Sequence, residues 1–206
     1  TRIEDRKMTA NNHIVIATNN LGKLAEFEKL FAPKHIEVSS LKDYPQIGEI
    51  KETGLTFEEN ATLKARAVAK QTKLPVLADD SGLEIDELNG RPGIFSARYA
   101  GDHDDAANNA KILSELAGVP LEKRTATFHT TLVLMKPNED KLVVDGELRG
   151  LILLVPRGNN GFGYDPLFWV PEKEKSLAEM SAAEKNQISH RGRASEKLLK
   201  LFDQWW

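Results

Sequence analysis

The chain has 206 residues, of which 40% are hydrophobic, 7% aromatic and 29% charged. That is the composition of a globular protein long enough to bury about 70% of its unfolded surface without disulfides or a structural metal. It contains no cysteine, and Lys+Arg 28 against Asp+Glu 31 leaves a net charge of −3; these facts exclude a disulfide scaffold, a thiol nucleophile and cysteine-ligated zinc, and argue against a protein that coats nucleic acid or an anionic membrane through bulk charge.

No apolar run approaches the roughly 20 residues that span a bilayer, and Thr1 to Asn12 is polar without a signal-peptide core. The expectation is a cytoplasmic protein with neither membrane nor nucleic acid as partner. Residues 1–12 read as an N-terminal extension and residues 13–206 as a single domain, with room for two small lobes.

In chain order, His13 to Ala17 is a short β-branched run, and Leu21, Leu24, Phe27, Leu30 and Phe31 then fall near helical spacing. Between them lies the polar loop Thr18-Asn19-Asn20-Leu21-Gly22-Lys23. A second strand is expected near Ile36 to Ser39. Thr56-Phe57-Glu58-Glu59 is a capping-box signature that opens a helix to about Thr72. Pro75 to Ala78 reads as a strand ended by Asp79-Asp80-Ser81-Gly82, and Leu83 to Leu88 alternates toward a turn at Asn89-Gly90. Asp104 caps a helix whose apolar face is Ala107, Ile112, Leu113 and Leu116. Thr125 to Met135 and Lys141 to Val155 read as an antiparallel pair about a Pro137-Asn138 turn. Arg157 to Asp165 is a glycine-rich loop, Leu167 to Val170 a short strand, and Ser181-Ala182-Ala183-Glu184 a second capping box ahead of a helix pair broken around Gly192. The pattern, βα-type at both ends around an antiparallel middle, places the chain in the α/β class with a mixed sheet.

Four stretches carry chemistry. Adjacent carboxylates Asp79 and Asp80 repel each other and gain most when a divalent cation or an activated water uses one of them. Side chains alternate along a strand, so one can face a pocket while the other turns to the turn backbone; the same pair also suits a plain Asx turn. Thr18 to Lys23 leads into a helix, whose N-H groups and dipole favour an anion, although the loop lacks the Walker pattern and also reads as a polar turn with a surface lysine. In Gly158 to Pro166, glycines allow close backbone approach, Phe162 or Tyr164 offers a stacking ring and Asp165 an acceptor; structural glycines are the alternative. Lys185, His190, Arg191 and Arg193 fall within nine residues, either a cationic clamp or a solvated basic helix face. Asn60 and Lys64 share a helix face at i and i+4. Phosphate contacts, metal carboxylates, a ring with an acceptor, and a cationic clamp are the parts of a metal-dependent nucleotide enzyme.

At these residues the sequence resembles the Ham1-like inosine triphosphate pyrophosphatase family, whose members convert dITP, ITP and XTP to monophosphates and pyrophosphate. The resemblance runs nearly end to end. It is carried by Ala17 to Lys23, by Glu52 to Ala61 with Lys64-Ala65, by Ala78 to Leu83, by Pro92 to Tyr99, by Gly161 to Phe168, and by Ser189-His190-Arg191-Gly192. It implies an elongated mixed β-sheet with flanking helices forming two lobes around a deep cleft, a homodimer, a small-molecule nucleoside triphosphate as substrate, and Mg²⁺ as cofactor. Carried over by position, Asp80 is the proton acceptor and a metal ligand, and Ser81 a substrate contact. Thr18, Asn19, Asn20, Leu21, Gly22 and Lys23 hold the phosphates with Lys64. Phe162, Gly163, Tyr164, Asp165, Lys185, His190 and Arg191 surround base and sugar.

The family often shows two adjacent acidic residues before Thr-Gly, whereas here Lys51 precedes Glu52, which leaves Glu52 as the second metal carboxylate. Were the ligand position to fall on Lys51, Asp80, phosphate oxygens and water would hold the ion, as suits Mg²⁺. Competing readings are a Maf-like pyrophosphatase acting on dTTP or UTP, which the Ser-His-Arg block disfavours, and a non-catalytic nucleotide-sensing module, which would lack Asp80. An RNA-binding domain would need a basic face that a net-acidic chain with scattered aromatics does not offer.

Overall fold

The computed structural model describes residues 12–206, so the expectation for the N-terminal extension lies, except for Asn12, outside the described residues. The described residues form a seven-stranded mixed sheet flanked by helices, with strand order β2-β1-β3-β4-β5-β6-β7. They cluster into two compact units, and the strands β3, β4 and β5 each contribute to both.

Unit one comprises residues 12–80, 132–144 and 202–206. Strand β1 (His13–Ile16) lies between β2 (Glu37–Ser40) and β3 (Val76–Ile85), parallel to both, with Val15 opposite Ser39 and Val76. Helix α1 (Leu21–Phe31) follows β1, and its Asn20 cap accepts the Lys23 N-H at 3.0 Å. Phe27 and Phe31 bury their rings, Phe31 5.7 Å from Phe202. Helix α2 (Phe57–Thr72) starts as its sequence predicts, with Thr56 Oγ1 accepting the Glu59 N-H at 3.1 Å. Ala61, Ala65 and Ala69 repeat every four residues along α2 and are buried with Val15, Val76 and Ala78. Three methyl-sized side chains on one helix face let the helix axis lie close to the sheet. Residues one position away from that row, Asn60 and Lys64, are thereby brought down onto β3.

Unit two comprises residues 81–131 and 145–201. Helix α3 (Asp105–Glu115) is capped by Asp104, which accepts the Ala107 N-H at 3.0 Å, and sinks Ile112 and Leu116 into a core with Leu83, Ile85, Phe128 and Phe168. Strands β4 (Thr125–Met135) and β5 (Lys141–Ile152) are antiparallel, closed at one end by the Lys136 N-H to Asp140 O and at the other by the Ile152 N-H to Arg124 O. Strands β6 (Phe168–Val170) and β7 (Lys175–Ser176) continue the antiparallel part. Helices α4 (Ala182–Ile188) and α5 (His190–Trp205) follow.

Two local expectations change. The acidic pair does not end a strand: β3 runs unbroken through Asp79 and Asp80 for ten residues. Asp, Ser and Gly are turn formers by propensity, yet here Asp79 pairs with Lys23 and Ser81 with Thr130, and tertiary context overrides propensity. The second change concerns the final helix pair, which breaks at Ser189, extended at φ −63°, ψ 159°, and not at Gly192. Gly192 lies inside α5 because a Cβ there would stand 1.8 Å from the Asn186 carbonyl oxygen. It serves a close approach, not a turn.

Candidate active site

In unit one the chemistry gathers on β3. Asp79 is 2% exposed and pairs with Lys23, Nζ to Oδ2 at 2.9 Å. Its main-chain oxygen accepts a hydrogen bond from Lys64 Nζ. Lys64 also reaches Glu52 Oε1 at 3.1 Å. One strand residue thus fixes two lysines, one through its carboxylate and one through its backbone. Lys23 comes from the first turn of α1 and Lys64 from the middle of α2. The sequence reading turns the inward Asp to the loop backbone; the structure gives it Lys23.

Asp80 is 7% exposed. Burial pushes its carboxyl up to about 7, Lys64 opposes the rise, Glu52 adds to it, the Asn60 side chain opposes it, and Asp79 adds again. A carboxyl poised near neutrality is suited to accept a proton at physiological pH. Burial acts to lower the Lys64 pKa, but Asp79, Glu52 and Asp80 together outweigh it and hold the ammonium above the ordinary lysine value. Two cations therefore face three carboxylates, the two aspartates buried and Lys23, Lys64 and Glu52 partly exposed.

Glu52 precedes α2 on a segment held by that helix: Asn60 Oδ1 accepts the Gly54 N-H at 2.8 Å and Glu59 Oε2 accepts the Leu55 N-H at 2.6 Å. Lys51 is exposed and Glu52 half-buried, so it is the Glu52 carboxylate that reaches the cluster. Among the described residues no group of three or more His, Cys, Asp or Glu is arranged to hold a metal ion. What Glu52 and Asp80 offer is a pair of carboxylates. Such an oxygen-only, incomplete donor set suits a hard divalent cation that keeps water or substrate oxygens as its remaining ligands, and does not suit zinc.

The loop before α1 is held by its own side chains, Thr18 Oγ1 accepting the Asn20 N-H at 3.1 Å. Asn19, Leu21 and Gly22 are exposed. Ser81, the next residue after Asp80, donates its hydroxyl hydrogen to Thr130 Oγ1 at 2.6 Å.

In unit two, Lys185 and Asp165 form a buried pair, Nζ to Oδ2 at 2.6 Å, and Asp165 Oδ2 also accepts the Phe162 N-H at 3.1 Å. Gly161, at φ +72°, must be glycine, since a Cβ would stand 2.1 Å from Asp165 Oδ2. The Phe162 ring carries two cations, Lys185 Nζ at 4.7 Å and Arg191 Cζ at 5.1 Å from its centroid. His190 stacks on Phe128 at 4.8 Å and 12°, and Arg191 Nη1 lies 3.4 Å from its Nε2. His190 and Arg191 open α5 together because Ser189, not Gly192, breaks the helix.

Gly163 and Tyr164 are placed otherwise. The Gly163 N-H donates to Asp105 Oδ2 at 2.9 Å and its oxygen accepts from Asn109 Nδ2 at 2.9 Å, while the buried Tyr164 hydroxyl donates to Ser96 O at 2.6 Å. Burial is the main reason that the Tyr164 hydroxyl is held above its ordinary value. Of the two rings that sequence offers for stacking, Phe162 is the half-buried one.

Sequence alone puts Asn60 on one helix face with Lys64 but gives it no role at the site, and it underuses Asp79. For Asn60 the signal is its i, i+4 relation to Lys64 on a helix whose alanine row faces the sheet; for Asp79 none exists, because its partner is set by the packing of α1 against β3.

The chain is 61% identical over 199 residues to the dITP/XTP pyrophosphatase of Lactiplantibacillus plantarum, covering 97% of this chain and 98% of the relative. It is 54% identical over 193 residues to the protein of the same name from Geobacillus kaustophilus, covering 93% of each. Among solved structures, a Ham1 protein from Coxiella burnetii superposes with a TM-score of 0.86 at 45% identity, and the Staphylococcus aureus Ham1 protein with 0.84 at 42%, each over 93% of this chain and 98% of the other. No described helix is long and apolar enough to cross a membrane. The Ham1 family model matches residues 14–201, so nearly the whole chain, including every residue of both clusters above, belongs to the Ham1 family.

Proposed function

We propose that the protein hydrolyses non-canonical purine nucleoside triphosphates, dITP/ITP and XTP/dXTP, to the monophosphate and pyrophosphate, and so removes them from the nucleotide pool. The relatives' name supports the substrate class. The observation that carries the reaction is the β3 cluster, in which Asp80 sits beside Glu52 and beside two lysines anchored on Asp79.

Asp80 takes a proton from the attacking water, and its raised pKa makes it a competent acceptor near pH 7. Lys23 and Lys64 meet the charge that grows on the departing pyrophosphate. Glu52 and Asp80 are the residues that would hold Mg²⁺, which, when bound, neutralises phosphate charge and orients the α-phosphate. The Thr18 to Gly22 loop serves the phosphates, and Ser81 is a substrate contact.

In unit two, Phe162 supplies a face for the purine, Asp165 and Lys185 fixed polar groups, and His190 and Arg191 donors for a 6-oxo group. Adenine presents a donor at that position and would leave those groups unpaired; guanine adds a 2-amino group that has to find an acceptor. Family membership also supports a homodimer.

The test is to incubate the protein and Mg²⁺ with a panel of triphosphates. Pyrophosphate, not orthophosphate, is expected selectively from ITP, dITP and XTP. Selective release from dTTP or UTP would favour the Maf-like reading, and binding without release would favour a sensor.

A further inference from the structure

Asn60 is completely buried in the first turn of α2. Its carboxamide cannot choose its orientation: Oδ1 is held by the Gly54 N-H at 2.8 Å, so Nδ2 takes the opposite direction, toward the Asp80 carboxylate, whose charged form it favours. The approach to Gly54 is tight, since a Cβ on that residue would stand 2.8 Å from Asn60 Oδ1 and 2.7 Å from the Glu59 Cβ. Yet Nδ2 makes no hydrogen bond of good length and angle, Asp80 included. A buried amide donor left unmade costs about 1 to 3 kcal/mol, and such a group calls for an explanation. The Gly54 bond accounts for Oδ1 and not for Nδ2, and packing does not account for it either, because α2 already covers the sheet with its alanine row.

We propose that Asn60 Nδ2 is a catalytic donor that holds the oxygen of the attacking water against Asp80. This rests on the hydrolytic reading given above and names a residue for it. In the step, the water oxygen accepts from Nδ2 and gives one proton to the Asp80 carboxylate. Its lone pair forms the bond to the α-phosphorus, and the bond from that phosphorus to the bridging oxygen breaks, its electron pair leaving with pyrophosphate. The Gly54 bond has a second use here: the loop that carries Glu52 and the donor that orients the water are fixed by one carboxamide. Removal of a single oriented donor in an enclosed site costs about 10²- to 10³-fold in turnover.

Two variants separate this role from a structural one. Asn60→Asp keeps an acceptor for the Gly54 N-H and removes the donor at the cost of an added charge; Asn60→Leu adds no charge but removes the Gly54 acceptor with the donor, so only a loss common to both variants reports the donor. The readouts are kcat and KM for ITP by pyrophosphate release, affinity for the non-hydrolysable α,β-methylene analogue of ITP by calorimetry, and the thermal midpoint. The expected result is a kcat lowered at least about 100-fold in both, with the analogue bound within about threefold of wild type by at least the uncharged variant. A folded variant of either kind with near-wild-type kcat overturns the proposal. So does a loss of analogue affinity in Asn60→Leu as large as its loss of kcat, because the donor would then serve the triphosphate and not the water. Wild-type protein is the control: if it releases no pyrophosphate from ITP, the hydrolytic reading itself fails.

Discussion

Asp79 and Asp80 are neighbours in sequence with opposite fates. Asp79 is neutralised by Lys23 at 2.9 Å, whereas Asp80 is pushed up to about 7, first by burial. The stability consequence has a definite sign. Between the ordinary value of 3.8 and about 7, the folded protein keeps a proton that the unfolded chain has lost, so stability falls as pH rises through that window and the full cost applies above it. Converted at 1.36 kcal/mol per unit, that cost is on the order of 4 kcal/mol. Asp80→Asn is therefore expected to abolish pyrophosphate release while raising the thermal midpoint at pH 8 in the presence of a chelator. Near pH 4 the two midpoints should converge. A variant less stable than wild type at pH 8 would contradict the reading.

Which residues the sequence discloses depends on how local their physics is. Lys23, Lys64, Asp80 and Glu52 stand out because carboxylates and cations follow turn and cap signals. Asp79 and Asn60 are visible as residues but not in their roles, since what they touch is decided by register and helix packing.

The elements were legible wherever caps were. Asn20, Thr56, Asp104 and Ser181 each accept the backbone N-H three residues on, at 3.0 to 3.1 Å, and each starts a helix where the sequence puts it. Breakers were less reliable: Gly82 sits inside a strand and Gly192 inside a helix. Propensity treats glycine as a point of freedom, but Gly192 is required by the absence of a side chain where α4 and α5 meet. Gly192→Ala places a methyl 1.8 Å from Asn186 O and 2.8 Å from its carbonyl carbon, both backbone. Such atoms yield only if the corner between the helices moves, so the variant is expected to lose at least about 2 kcal/mol. Urea denaturation measures this, and an unchanged midpoint would show that the corner yields freely. Since Lys185 lies in the last turn of one helix and His190 begins the next, the KM for ITP should rise as well.

At the scale of the molecule, a net charge of −3 says little about where charge acts. Unit one sets Lys23 and Lys64 against Asp79, Asp80 and Glu52; unit two sets Lys185 against Asp165 with Arg191 beside a ring. Each cluster is nearly balanced and each balance is incomplete in a different direction. The acidic excess in unit one predicts that chelation with EDTA eliminates pyrophosphate release and that added Mg²⁺ restores it, which a metal titration on the purified protein would follow; full activity in EDTA would remove Glu52 and Asp80 from the role of ligands.

The pairing of Lys23 with a buried carboxylate also sets an entry condition. An anion arriving at that ammonium competes with a fixed charge 2.9 Å away, so a single weak charge gains nothing by displacing it. A polyanion that engages Lys23 and Lys64 together, while carrying its own counter-cation toward Asp80 and Glu52, wins that exchange. With the proposed function, the internal ion pair predicts that orthophosphate competes poorly with a triphosphate for Lys23, which inhibition of pyrophosphate release by added orthophosphate would measure.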